Sequence, residues 1–106
     1  MAQQPGEATQ LLKEHKATLI GILHFDPEYI KQNAHSRHLL SDIAYSAVGD
    51  QRTRGEKVAY LLDNVMVAGE EKAKCLLELL KEGHMLDAYP RLAFLKELPQ
   101  TSTGRL

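Results

Sequence analysis

Residues 53–69 carry the sequence TRGEKVAYLLDNVMVAG, which predicts the clearest helix of the chain. Thr53 and Glu56 have the spacing of a capping box, in which two side chains satisfy backbone amides at a helix start. Apolar residues then return at steps of three and four, which places them on one helix face. They are Val58, Leu61, Leu62, Val65 and Met66. Because Gly69 follows and glycine commonly ends helices, we predict a helix from Arg54 to the residue before Gly69.

Three helices are predicted before this one. Residues 1–10 are polar and indicate a frayed lead-in. The next apolar residues, Leu11, Leu12, Leu19, Ile20 and Leu23, surround the polar patch KEHK, which predicts a first helix that bends between Lys13 and Lys16 or near Gly21.

The second helix is predicted to begin after Asp26, since an aspartate cap followed by Pro27 and Glu28 is typical of a helix start. Phe25 is placed to pack on Ile30 as a hydrophobic staple. This helix runs to about residue 37.

Ser41 is predicted to cap a short third helix that ends before Gly49. Leu40 and Tyr45 are placed for a second staple there.

Two further helices are predicted after Gly69. The fifth buries Ala73, Leu76, Leu77 and Leu80, and Gly83 acts as its stop signal. The sixth begins with Asp87 as its cap, holds Pro90 in its first turn and buries Leu92, Leu95 and Leu98. Six short helices with brief connections predict a compact all-α bundle.

Composition agrees with this class. The 106 residues suit one domain, and 17 leucines against 8 valines and isoleucines favour helices over strands. A formal charge of −1 disfavours a nucleic-acid or membrane-surface protein. The single cysteine, the polar start MAQQPGEATQ and a longest apolar run of only LIGIL, residues 19–23, lead us to expect a cytoplasmic protein.

The sequence contains only weak signals for a catalytic nucleophile, a metal site or a phosphate-binding loop. Cys75 is expected to be a small buried hydrophobe rather than a nucleophile. His35 and His38 have a three-residue step without a third ligand, so no metal site is expected. GDQRTRGEK, residues 49–57, lacks the glycine spacing and lysine position of a phosphate loop. We expect no catalysis and no cofactor.

Surface charge remains as a candidate for binding. The candidate basic residues are Lys13, Lys16, Arg52, Arg54 and Lys57, and the candidate acidic residues are Asp26, Glu28 and Asp42. Acidic residues at helix starts also have a simple capping role. Arg54 and Lys57 have no such role, because the helix dipole disfavours cations at the start of a helix.

Residues 8–98 taken together resemble a caspase recruitment domain of the death-domain superfamily. The resemblance rests on the bent helix LLKEHKATLIGIL, the segments DPEYI and LLSDIAYS, and the helix TRGEKVAYLLDNVMVAG. It also rests on EEKAKCLLELLKEG followed by LDAYPRLAFLKEL. GEE at 69–71 and DAY at 87–89 look most like the N-terminal recruitment domain of a nucleotide-binding leucine-rich-repeat receptor.

The resemblance implies a six-helix antiparallel Greek-key bundle with a bent first helix. Residues 1–7 would be a flexible N-terminus and 99–106 a linker-like tail. It also implies homotypic binding in apoptosis or innate immunity, to a recruitment domain on an adaptor, kinase or procaspase, or to a second copy. By position, the basic residues above match one family surface and the acidic residues the opposing one. Such a heterologous contact predicts an open filament.

Two alternatives stay open at this point. One is a helix-turn-helix nucleic-acid binder that uses the basic start of the fourth helix. The other is a metal- or thiol-dependent enzyme built from His35, His38 and Cys75.

Overall fold

The structure, a computed structural model, describes residues 6–97. Every regular element in that range is helical, which confirms the all-α class. The α-helices are α1 (Glu7–Glu14), α2 (Lys16–Leu23), α3 (Pro27–Ser36), α4 (Asp42–Gly49), α5 (Arg54–Ala68), α6 (Glu70–Leu80) and α7 (Gly83–Ala88), followed by a 3₁₀-helix (Pro90–Glu97). Leu98, the predicted tail and most of the predicted flexible N-terminus lie outside the described residues.

The predicted bend in the first helix is a break at His15. This residue has φ −106° and ψ 16°, and it ends α1 and precedes α2. Its ring and the Phe94 ring are in a T-shaped arrangement, with 5.5 Å between their centroids. The helix passes through Gly21 without interruption, so the polar patch and not the glycine marks the bend.

The start of α1 corrects the prediction of a ten-residue lead-in. α1 begins at Glu7, and its N-cap residue, Gly6, has no side chain that could cap it. Instead, Glu70 accepts hydrogen bonds from the amides of Ala8 and Thr9, at 2.8 and 3.0 Å, and from the Thr9 hydroxyl at 2.8 Å. A residue far along the chain therefore satisfies amides that every helix start leaves open.

Glu70 is itself the first residue of α6, so its carboxylate lies at two helix starts. Partial burial raises the pKa of Glu70, but the hydrogen bonds from Thr9 and Ala8 outweigh this effect, and the pKa lies below its ordinary value.

The starts of α3 and α4 are as predicted. The Asp26 carboxylate accepts from the Tyr29 amide at 3.4 Å, and the Ser41 hydroxyl accepts from the Ala44 amide at 3.0 Å. The expected staple of Phe25 on Ile30 is wrong, because Phe25 is 66% exposed and stacks on His24.

The boundaries of α5 are also as predicted. Thr53 and Glu56 form both bonds of the capping box, at 3.1 and 3.0 Å. Gly69 ends the helix with φ 124°, a backbone conformation that residues with a Cβ atom rarely adopt. α5 packs against α1, α2, α3, α4 and α6 and lies at the centre of the bundle.

The C-terminal region corrects two predictions. Gly83 does not stop a helix but begins α7, and Asp87 lies inside α7 instead of capping a sixth helix. Pro90 disfavours helical backbone at the residue before it, and Tyr89 has φ −134° and ψ 79°. The predicted last helix is therefore divided, with its second part a 3₁₀-helix.

Tyr89 also joins this region to α3. Its buried hydroxyl accepts from the Ile30 amide at 3.2 Å and donates to the Asp26 carbonyl. In a regular helix that amide would donate to that carbonyl directly, so the hydroxyl is inserted into the first turn of α3. Burial raises the pKa of Tyr89 well above its ordinary value.

The core is one cluster to which the α-helices and the 3₁₀-helix all contribute. Its largest fully buried side chains are Leu12, Leu19, Leu23, Ile30, Val48, Leu61, Leu62, Leu76, Leu79, Leu80, Met85 and Leu92. All four stripe residues predicted for α6 are buried, and so are Val58, Leu61, Leu62 and Val65 of α5, while Met66 is partly buried. Within residues 6–97, no helix has the length and apolar character to cross a membrane.

Candidate interaction surface

Arg52 and Arg54 are two of the predicted basic residues that a partner could reach. Arg52 lies in the loop before α5 and Arg54 is the first residue of that helix, and both are exposed. Neither forms an ion pair with another residue of the described range. The helix dipole opposes a cation at this position, so the local structure gives no stabilising reason for Arg54.

Of the other basic candidates, Lys16 and Lys57 bond to groups of the same chain and Lys13 forms no ion pair with the described residues. Lys16 forms an ion pair with Asp63 at 2.6 Å, which joins α2 to α5. Lys57 donates to the Gly49 carbonyl at 2.7 Å and so satisfies the last residue of α4. Lys13, in the last turn of α1, is exposed and forms no ion pair with the described residues.

The surface beside Arg52 is of mixed charge. A shallow depression of about 420 Å³ is lined by Arg52 together with the carboxylates of Asp50, Glu56 and Asp63. Glu56 is engaged in the capping box and Asp63 with Lys16. The outer face of α5 is therefore not uniformly basic, which weakens the nucleic-acid alternative.

Of the predicted acidic residues, Glu28 is the most engaged. It accepts from Gln32 at 2.7 Å and pairs with Lys31 at 3.1 Å. The hydrogen bonds from Gln32 and Lys31 lower the pKa of Glu28, and the charge of Lys57 adds to this. Lys57 donates to the Gly49 carbonyl, and the Lys31 ammonium that pairs with Glu28 lies beside Gly49 as well, so the predicted basic and acidic surfaces meet on this side of the molecule.

Lys31 was missed by the sequence reasoning, and it lies where those two surfaces meet. It is only 9% exposed, and its ammonium lies 4.5 Å from the centroid of the Tyr45 ring. The His35 ring stacks on Tyr45 at 4.2 Å. The three-residue step from Glu28 to Lys31 was the available signal, since such pairs meet on one helix face.

Asp42 and Asp26 are exposed, as Glu28 is, but neither is paired with a lysine. The Asp42 side chain is 97% exposed and contacts Nε2 of His35 at 2.8 Å. Asp26 is exposed and caps α3. These two residues, at the starts of neighbouring helices, are the acidic groups that a partner can reach most readily.

The residues considered for metal or thiol chemistry are not brought into a site. Within residues 6–97, no three His, Cys, Asp or Glu side chains are placed to share a metal ion. The expectation that Cys75 is buried is wrong, because the buried face of α6 is formed by Ala73, Leu76, Leu77, Leu79 and Leu80, and the thiol lies outside it and is exposed.

A polar network that the sequence did not reveal joins α3 to the start of α7. Arg37 donates to both carboxylate oxygens of Glu82, at 2.8 and 2.5 Å. His84 contacts Glu82 through Nε2 at 2.8 Å and the Tyr29 hydroxyl through Nδ1 at 2.9 Å. Arg37 first, and then His84, lower the pKa of Glu82 to about 2.

Comparison of the chain with protein-family models, with curated proteins and with solved structures returned no match.

Proposed function

We propose that this chain is a homotypic interaction module of the caspase-recruitment type, which assembles signalling complexes of apoptosis or innate immunity in the cytosol. Its six-helix Greek-key arrangement would comprise α1 with α2 as the bent first helix, then α3, α4, α5 and α6, and α7 with the 3₁₀-helix as the divided last one. The all-helical fold and the break at His15 support this assignment.

The observation that carries the proposal is the pair of free arginines at the start of α5. Arg52 and Arg54 are exposed and have no carboxylate partner in the described range. A guanidinium presents a planar set of donors that matches a carboxylate in two bonds. Both residues are therefore suited to acidic side chains of another molecule.

The complementary surface supplies those acidic side chains. Asp26 and Asp42 are exposed at the starts of α3 and α4, and a second recruitment domain or a second copy would present residues of this kind. Lys16 and Lys57 act within the chain, by holding α2 to α5 and α4 to α5. The proposal gives the chain no catalytic step.

Charge reversal of Arg54 tests the proposal. In pull-down against a panel of recruitment domains, Arg54→Glu is expected to lose the partner that the wild-type chain captures, and the capture should weaken with added salt. The matched control is Arg91→Glu, which reverses another exposed arginine on the 3₁₀-helix. Equal loss in both variants, or capture that survives Arg54→Glu, would contradict the proposed surface.

Nucleic acid is the second ligand to include in that experiment. A gel shift at low salt that disappears steeply as salt rises would identify phosphate contacts, and it would replace recruitment with nucleic-acid binding as the function.

A further inference from the structure

A groove opens where the loop between α3 and α4 meets the end of α5 and the start of α6. Its volume is about 720 Å³, and sites for small molecules usually have about 300–1,000 Å³. Leu39, Leu40 and Ala68 form the apolar part of its lining. We call this feature the α3–α4 groove. Its size suits a small organic molecule.

Three polar side chains of the groove have donors that the fold leaves unused. The Lys72 ammonium donates to the carbonyl of His38 and forms no ion pair with the described residues. The His38 ring and the half-buried amide of Asn64 have no hydrogen-bond partner within residues 6–97. An ammonium carries three N–H donors and an amide carries two. The groove therefore offers several N–H groups to a ligand.

His38 has a backbone conformation that usually belongs to glycine. Its φ is 64°, which is disfavoured for residues with a Cβ atom. The Leu39 amide donates to the Ala34 carbonyl at 2.9 Å, and the His38 amide donates to the His35 carbonyl at 3.0 Å. These two bonds are typical of a helix end with glycine at the left-handed position. Since no hydrogen bond to the described residues explains the His38 ring, contact with a ligand is a reason for a side chain at this position.

The charge of the groove indicates the class of ligand. Lys72 brings a positive charge without a carboxylate partner in the described range, and lysine commonly binds phosphate as a point charge. The carboxylate in the lining is that of Asp42, whose side chain is 97% exposed and contacts Nε2 of His35. An unpaired ammonium beside free N–H donors favours an anion. The apolar part of the lining suits a carbon skeleton attached to it.

We propose that the α3–α4 groove binds a small organic phosphate, with the phosphate group on Lys72, His38 and Asn64 and the carbon skeleton against the apolar part of the lining. Arg52 and Arg54 do not line this groove. The inference is therefore independent of the proposed recruitment function.

An NMR titration of the full chain with phenyl phosphate at low salt tests this site. The backbone amides of the groove residues and the side-chain amide of Asn64 are expected to shift and to reach saturation. Inorganic phosphate should shift the same signals with lower affinity, because it lacks the apolar body. Phenol, which lacks the anion, should shift none of them.

Variants assign the binding to individual side chains. Lys72→Gln removes the positive charge and should weaken the binding of phenyl phosphate about tenfold. His38→Gly removes the ring and should weaken it about threefold. Asp42→Asn removes the carboxylate of the groove and should tighten it. The matched control is Lys74→Gln, which neutralises an exposed lysine of the same helix outside the groove and should bind like the wild type.

His38→Gly also separates binding from folding. Glycine adopts φ 64° without strain, so the melting temperature of this variant should not fall although its affinity does. If Lys72→Gln melts early by circular dichroism, His38→Gly decides the outcome.

Four results would overturn the inference. They are the absence of saturable shifts in the groove, shifts that occur only around Arg52 and Arg54, equal weakening in Lys74→Gln, and phenyl phosphate that binds no tighter than inorganic phosphate. Unchanged affinity in His38→Gly together with Lys72→Gln would contradict it as well.

Discussion

The first backbone amides of α1 and α5 have no acceptor within their own helices, and the two helices are capped in different ways. α5 is capped by Thr53 and Glu56, three residues apart. α1 is capped by Glu70, 62 positions after Ala8. The first solution can be read from a short stretch of sequence, whereas the second exists only after the chain has folded. A local cap makes a helix boundary predictable, and a tertiary cap makes the boundary depend on the rest of the molecule.

Removal of the tertiary cap should have the largest effect. Glu70→Ala leaves the amides of Ala8 and Thr9 without their acceptor, and hydrogen bonds to a charged group contribute about 1.5–3 kcal/mol. We expect the free energy of unfolding to fall by about 2–3 kcal/mol in urea titration. Glu71→Ala, at the exposed neighbouring position, is the control, and an equal loss there would show that Glu70 has no special role.

Tyr89→Phe tests the second tertiary contact at a helix start. The substitution keeps the buried ring but removes the hydroxyl between Ile30 and Asp26. We expect a loss of about 1–2 kcal/mol in thermal or urea unfolding. Hydrogen exchange should be faster at the Ile30 amide than in the wild-type chain. Unchanged exchange at this amide would mean that the Ile30 amide bonds directly to the Asp26 carbonyl in the variant, and that the Tyr89 hydroxyl does not protect it.

The local cap should give a smaller and more confined effect. Thr53→Ala removes the acceptor for the Glu56 amide, and substitutions of this kind cost about 1 kcal/mol. Thr53→Ser, which keeps the hydroxyl, should retain most of the wild-type stability in the same urea titration. A serine variant as unstable as the alanine variant would point to the Thr53 methyl group instead of the cap.

The smallest effect is expected at the exposed pair of Arg37 and Glu82. The pKa of Glu82 is lowered from 4.5 to about 2 in the folded chain. The stabilisation that the ionised Glu82 carboxylate gives the folded chain is therefore complete above the unfolded pKa. It is lost as the pH falls from about 4.5 toward 2. The stability difference between the wild-type chain and Glu82→Gln should shrink over that window in urea titrations. A difference that does not change with pH would exclude the charge of Glu82 as its cause.

These cases show which parts of the fold could be predicted from sequence. Asp26, Ser41 and Thr53 lie immediately before the helices that they cap, and Gly69 ends α5, so short patterns located those boundaries. The start of α1 could not be located in this way, whereas the division near Pro90 had a local signal, because a proline disfavours helical backbone at the residue before it. Glu70 and Tyr89 act on residues that are distant in the sequence, and their side-chain type alone does not identify the residue they contact.

The candidate surface shows the same limit. Charge at a helix start identified Arg52 and Arg54 as candidates, and the structure leaves both exposed. The same argument could not show that Lys16 has Asp63 as a partner or that Lys57 bonds to the Gly49 carbonyl. Lys31 was missed because its burial depends on Tyr45, a residue of the next helix.

The distant cap on α1 also bears on how the protein is made. A ribosome releases the chain from its N-terminus, so Ala8 and Thr9 emerge well before Glu70 has been added. During that interval α1 has only water to satisfy these two amides. A nascent chain stalled before position 70 should therefore be cut by proteases near its beginning, and release of the full-length polypeptide should end that sensitivity.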